Sequence, residues 1–130
     1  MEIVIDTSAL LAVILDEPER ERIIERTVGH TLVGPGSIPW EVGNAFSALL
    51  KRNRISRGEA RRGLQLFGEI PLRYVSTNME QAITIASQER IYAYDAYLIE
   101  CALRLVAPLL TLDGSLRRNA TKLGVNVVEI

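Results

Sequence analysis

Asp6, Glu41, Asp95 and Asp113 are four carboxylates set among apolar or small neighbours, each where a predicted strand ends or a predicted helix begins. Asp6 closes the apolar run Ile3, Val4, Ile5 and opens the segment Thr7, Ser8, Ala9, Leu10, Leu11. Asp113 repeats that placement after Leu109, Leu110, Thr111 and Leu112. Taken singly, each acid has a structural explanation: Asp6 and Asp95 as helix caps, Glu41 as a complement to a helix dipole, Asp113 with Gly114 as a turn. Taken together they have a chemical one, provided the fold brings them to one place. At an effective dielectric near 20, two carboxylates about 4 to 5 Å apart repel by roughly 3 to 4 kcal/mol. A divalent cation removes that load, and an all-oxygen donor set selects hard ions such as Mg2+ or Mn2+. With one His and one Cys in the chain, no zinc set can be assembled. A cation held by acids lowers the pKa of a bound water and neutralises charge developing on a phosphodiester, so hydrolysis there needs no histidine. His30, in a polar loop, is assigned no role.

The elements that must position these acids follow from hydropathy and punctuation. Glu2 to Asp6 reads as a buried strand, and Thr7 to Leu15 as a helix interrupted by Glu17 and Pro18 before a second helix, Glu19 to Val28. A short strand is expected at Thr31 to Val33. Gly34, Pro35 and Gly36 punctuate, and Ser37 with Pro39 looks like the cap and first turn of a helix to about Arg52, with Glu41 in that turn. Ser56 and Glu59 have capping-box spacing and open a helix to about Phe67, followed by a strand at Leu72 to Val75. Asn78 to Glu89 and Tyr94 to about Leu105 are helical by pattern, a strand ends near Asp113, and Ser115 to Leu123 is the last helix. Gly124 stops it, and Val125 to Val128 is expected as a final strand. Alternating strands and helices imply parallel strands joined by right-handed crossovers, a sheet covered on both faces. Ligands then bind beyond the carboxyl ends of the strands, where the strand order reverses. Asp6 and Asp113 are expected at that edge.

Composition sets the limits. The chain of 130 residues, with 48% hydrophobic content and a mean hydropathy of +0.13, is expected to fold as one domain, residues 1 to 130, without linkers or low-complexity stretches. Met1 and Glu2 lead straight into a strand pattern with no basic leader or cleavage site, and the apolar stretch Leu98 to Leu112 is broken by Glu100, Arg104 and Pro108. A cytoplasmic protein with no membrane association is expected. Cys101 is the only cysteine and reads as a buried core thiol.

The chain resembles the PIN domain nucleases and, within them, the VapC-type toxins of toxin–antitoxin pairs. The resemblance covers nearly the whole sequence. It is carried by Ile5, Asp6, Thr7, Ser8, Ala9, Leu10; by the helix with Glu41, Asn44 and Ala45; by Tyr94, Asp95, Ala96; and by Leu110, Thr111, Leu112, Asp113. It implies an α/β fold, a three-layer α/β/α sandwich with a mainly parallel sheet of strand order 3-2-1-4-5, which would set Asp6 and Asp113 on neighbouring strands. It further implies a Mg2+-dependent endoribonuclease, with Mn2+ as a substitute. Asp6, Glu41 and Asp95 match the main metal ligands, direct or through water, and Asp113 a more peripheral one, all four catalytic. Thr7, Ser8, Asn44 and Thr111 match supporting polar positions. Each of those four also has an ordinary reading, as helix-start hydroxyls, a helix surface amide and a strand threonine. The implied partners are an RNA substrate, a VapB-type antitoxin whose C-terminal segment covers the groove, and a second copy of the chain.

Net charge is −1, but Lys51, Arg52, Arg54, Arg57, Arg61 and Arg62 against Glu59 make residues 51 to 62 +5, leaving −6 elsewhere. Lys51, Arg52, Arg54 and Arg57 are therefore candidates for contact with an RNA backbone, against the alternative of a salt-bridged or solvated helix face. Trp40, Tyr92, Tyr94 and Tyr97 flank the acids, where a ring can stack on a base. Core packing is the expectation for Trp40 and Tyr97. Haloacid dehalogenase-like phosphatases also use an aspartate after the first strand but need another two residues on, where Ser8 stands. Receiver domains need an adjacent acidic pair that is missing. A PIN-type RNA-processing nuclease and a non-catalytic PIN-like module binding RNA or a partner remain the alternatives.

Overall fold

Ile3, Val4 and Ile5 are consecutive and all buried, which a strand achieves only when both faces of its sheet are covered. The computed structural model describes residues 1–130. In it, β1 (Glu2–Ile5) is flanked on one side by β2 (Thr31–Pro35) and β3 (Leu72–Val75), and on the other by β4 (Leu109–Leu110). All pairs are parallel, and the order is β3-β2-β1-β4. The connections are helical: α1 (Thr7–Ile14) and α2 (Arg20–Thr27), α3 (Ile38–Lys51) and α4 (Arg57–Glu69), α5 (Met79–Glu89) and α6 (Ala93–Leu105), then α7 (Gly114–Lys122). This is the expected parallel α/β architecture, and the order reverses at β1.

The expected fifth strand is reduced to a single bridge. Val127 pairs with Leu109, through Leu109 N–H to the Asn126 carbonyl and Val128 N–H to the Leu109 carbonyl, each 2.9 Å. The reason lies in β4, which offers only two residues before the chain turns away at Thr111. Strand β4 therefore ends well short of Asp113. The register pairs Val4 with Leu109 and Ile5 with Leu110, so the residue beside Asp6 is Thr111, and Asp113 belongs to the start of α7.

Caps, glycines and one buried ion pair set the helices and how they pack. Ser56 and Glu59 form the reciprocal capping box that opens α4. Gly124, at φ +92°, ends the turn after α7 in a conformation that favours glycine. Gly63 lets α4 close onto α3: a Cβ at this position would stand 2.5 Å from Phe46 Cζ. The start of α5 is tied to α6 by buried Glu100, which accepts from the Asn78 N–H at 3.0 Å and from Arg104 Nε at 2.7 Å. Arg104 also reaches the Ser76 carbonyl. That joint fixes the helix whose first turn holds Asp95. Cys101 is buried, as expected, and burial pushes its thiol up to about 11. No helix is long and apolar enough to cross a membrane.

Candidate active site

Asp6 leaves the carboxyl end of β1 as the N-cap of α1 and is only 4% exposed. Its Oδ1 accepts from the Ala9 N–H at 3.0 Å and from Ser8 Oγ at 2.7 Å, and its Oδ2 accepts from Thr111 Oγ1 at 2.5 Å. The direction of the hydroxyl protons follows from what each oxygen accepts. Leu112 N–H donates to Ser8 Oγ at 3.0 Å, and Asp113 N–H donates to Thr111 Oγ1 at 3.0 Å. Each hydroxyl has one proton to give, and the nearby carboxylate takes it. The loop after β4 thus holds the aspartate after β1 in place through two side chains.

The other acids reach the same edge by different routes. Asp113 caps α7, accepting from the Ser115 and Leu116 N–H groups at 2.9 and 3.1 Å. Glu41 lies in the first turn of α3, and its Oε2 accepts from Ser37 Oγ at 2.9 Å. Ser37 precedes that helix without making the expected capping bond; its hydroxyl goes to Glu41 instead. Asp95 is not a cap either. Its helix begins at Ala93 after Tyr92, so Asp95 sits within the first turn, where the helix dipole favours a negative charge.

Glu41, Asp95 and Asp113 line one cleft of about 690 Å³, together with Thr7, Trp40, Asn44, Ala45, Tyr92 and Tyr94. Asp6 lies buried behind it. The four carboxylates interact electrostatically. Burial pushes the Glu41 carboxyl up to about 7; the Ser37 hydrogen bond opposes this, while the charges of Asp6 and Asp95 add to it. Asp95 is raised by burial and then by the charges of Asp113 and Asp6. Asp6 is raised first by burial and also by Asp113, against the hydrogen bonds from Thr111, Ala9 and Ser8. All four acids expected from the sequence therefore share one neighbourhood at the switch point of the sheet.

They do not form the closed cage expected of a complete coordination set, since no three of them converge on one point. Asp6, Glu41 and Asp113 instead accept from nearby hydroxyl or backbone donors. The donor chemistry still suits a hard cation: acidic oxygens that repel one another face a cleft, and the buried Thr7 Oγ1 at its edge has no hydrogen-bond partner. Of the supporting residues, Ser8 and Thr111 touch Asp6, while Thr7 and Asn44 line the cleft. Lys51, Arg52, Arg54 and Arg57 are exposed and lie outside the cleft lining. Sequence reasoning missed Ser37 as the Glu41 partner, although its spacing of four residues on one helix face was the available signal. Trp40 is another correction, with 74% of its surface exposed instead of packed in the core, while Tyr97 is half-buried. Its neighbour Glu41 turns inward, which leaves the indole at the rim.

A parallel α/β sheet with an acidic cleft at its switch point defines the class of protein. The chain belongs to the PIN domain family, whose sequence profile matches residues 3–122. Among curated proteins, none matches the chain by sequence. Solved structures share its fold. PAE2754 from Pyrobaculum aerophilum superposes with a TM-score of 0.72 at 18% identity, over 92% of this chain and 79% of that one. VapBC2 from Rickettsia felis, solved with a DNA fragment from its promoter, gives 0.67 at 16% identity, over 99% and 98%. VapC20 of Mycobacterium tuberculosis, a sarcin-ricin loop cleaving toxin, gives 0.66 at 14% identity, over 98% and 99%.

Proposed function

We propose that the chain is a Mg2+-dependent endoribonuclease, the toxin of a VapC-type toxin–antitoxin pair. The observation that carries this reading is the convergence of Glu41, Asp95 and Asp113 on one cleft at the switch point of the sheet, with Asp6 buried at the end of β1 beside it. Crowding of carboxylates in a sheltered cleft favours a bound positive charge. Membership in the PIN domain family and the likeness to a toxin that cleaves the sarcin-ricin loop support the nuclease reading.

Asp6, Glu41 and Asp95 would hold the cation directly or through water, with Asp113 more peripheral; Mn2+ is expected to substitute for Mg2+. When bound, the ion supplies an acidified water and a charge that offsets the phosphate. The protein's own part is positioning. Ser8 and Thr111 fix both oxygens of Asp6, and Ser37 fixes one oxygen of Glu41. Helix α3 runs from the cleft at Glu41 to Lys51, about 15 Å along its axis. None of Lys51, Arg52, Arg54 and Arg57 is engaged in an ion pair, which favours an RNA-attracting ridge over a salt-bridged surface. The likeness to VapBC2 supports a VapB-type antitoxin as partner, a basic side chain of which would face the acids, and a homodimer is proposed with it.

Purified, antitoxin-free protein should cut RNA with Mg2+ or Mn2+ and lose that activity in EDTA. Asp95→Asn should abolish cleavage while the circular dichroism spectrum is retained. Equal cleavage in EDTA would sink the metal mechanism, and full activity of the Asp95 variant would show that the site is wrongly assigned.

A further inference from the structure

Trp40 and Tyr94 each stand one residue before an acid of the cleft, Glu41 and Asp95, and both lie within the opening turns of their helices. Successive helical side chains diverge by about 100°, so each acid that faces inward sets a ring at the rim. The rings are 74% and 51% exposed. Together they form the wall shared by the acidic cleft and a second depression of about 490 Å³, of a size that suits a small organic group. The two sides of that wall differ in character. One is lined by carboxylates; the other has no charged residue and is lined by Ser76, Thr77 and Met79 among others. Tyr97 meets Tyr94 edge to face, with centroids 5.9 Å apart and planes at 81°, which holds Tyr94 from behind.

A nucleotide has the same division, with a charged phosphate and a base that is apolar on its faces and polar at its edges. We infer that Trp40 and Tyr94 form a stacking site for the base next to the scissile phosphate of a single-stranded RNA. The phosphate lies on the acidic side of the wall and the base in the uncharged depression, against the exposed rings. This rests on the nuclease reading above. Stacking on aromatic rings tolerates any base, whereas the faces of bases in a duplex are already covered. The site therefore selects unpaired RNA without selecting sequence. A protein segment is the rival occupant, but an uncharged depression joined to an acidic cleft across one aromatic wall matches the base and phosphate of a single nucleotide better than a peptide.

Trp40 is the sole tryptophan, so its emission reports on this site alone. The full chain is titrated with a short mixed-sequence single-stranded RNA and with the same RNA as a duplex, in EDTA and in Mg2+, while anisotropy of labelled RNA measures binding independently. The single strand should quench Trp40 saturably and the duplex should not. Trp40→Ala should weaken single-strand binding on the order of tenfold, and Trp40→Phe should keep most of the affinity. RNA binding that leaves the emission unchanged and is indifferent to Trp40→Ala overturns the stacking site while the nuclease reading stands. Emission that instead follows protein concentration, with a doubled mass in sedimentation, assigns the rings to a protein interface and overturns it too. An absence of RNA binding under both conditions overturns the nuclease reading and this inference together.

Discussion

Asp6 is a charge held in a buried place, and that separates what it does for stability from what it does for activity. Burial raises its pKa, so the ionised form is disfavoured relative to an exposed carboxylate, even with Ser8, Ala9 and Thr111 donating to it. Asp6→Asn removes the charge and keeps one oxygen to accept from the Ala9 N–H and Ser8 Oγ, while its amide nitrogen faces the Thr111 hydroxyl, which can accept from it. It should abolish cleavage while thermal unfolding occurs at an unchanged or higher temperature. A cleavage loss accompanied by a large fall in Tm would mean that the carboxylate acts mainly as a helix cap. Thr111→Val tests positioning without touching a proposed ligand. Removing the hydroxyl leaves Asp6 Oδ2 only the Ser8 hydroxyl, 2.9 Å away, and the Asp113 N–H without its acceptor, so activity should fall roughly 10- to 100-fold with the fold retained.

Two of the three glycines in helix α4, Gly63 and Gly68, look alike in sequence and differ in packing. Gly63 lies against Phe46 of α3, and an added Cβ would be 2.5 Å from its ring, whereas at Gly68 nothing lies within 4 Å. Alanine is the better helix former by about 1 kcal/mol, so the contact decides the sign. Gly68→Ala should stabilise by roughly 0.5 to 1 kcal/mol, and Gly63→Ala should destabilise by roughly 1 to 3 kcal/mol in urea unfolding. Equal effects at both sites would mean that α3 and α4 are not in close contact. Since α3 carries Trp40 and Glu41, Gly63→Ala should also lower activity. The shortness of β4 acts at the same scale. By ending at Leu110 it lets Thr111 turn toward Asp6 and Asp113 cap α7, at the cost of a full fifth strand.

Burial of Glu41, reinforced by the neighbouring acids, makes the stability of the whole molecule depend on pH in an unusual direction. Glu41 moves from an ordinary value of 4.5 up to about 7 in the folded protein. Between those values the folded state holds more protons than the unfolded state, so stability falls as pH rises. The contribution is fully present below about 4.5 and lost as pH passes through about 7. In EDTA, Tm should therefore decline across that window, and Glu41→Gln should flatten the decline. Mg2+ at neutral pH should restore stability by binding the folded state alone. A Tm that rises across the same window in EDTA would show that Glu41 is not buried beside the other acids in solution.

The sequence alone determined the order of the elements and marked the four acids as candidates, because hydropathy period, caps and glycines are local and each acid sits at a junction those signals mark. The capping box at Ser56 and Glu59, the stop at Gly124 and the strand Leu72 to Val75 were legible for that reason. What depended on distant neighbours was not. The loss of the fifth strand followed from how soon β4 leaves the sheet, and the seat of Asp6 from a register that sets Thr111 beside it, 105 positions along the chain. Trp40 read as core because tryptophan is apolar, and only the packing of α3, with Val42 and Phe46 turned inward and Glu41 toward the cleft, left the indole in solvent. Local sequence fixes which groups a helix carries; the direction they face is set by what the helix packs against.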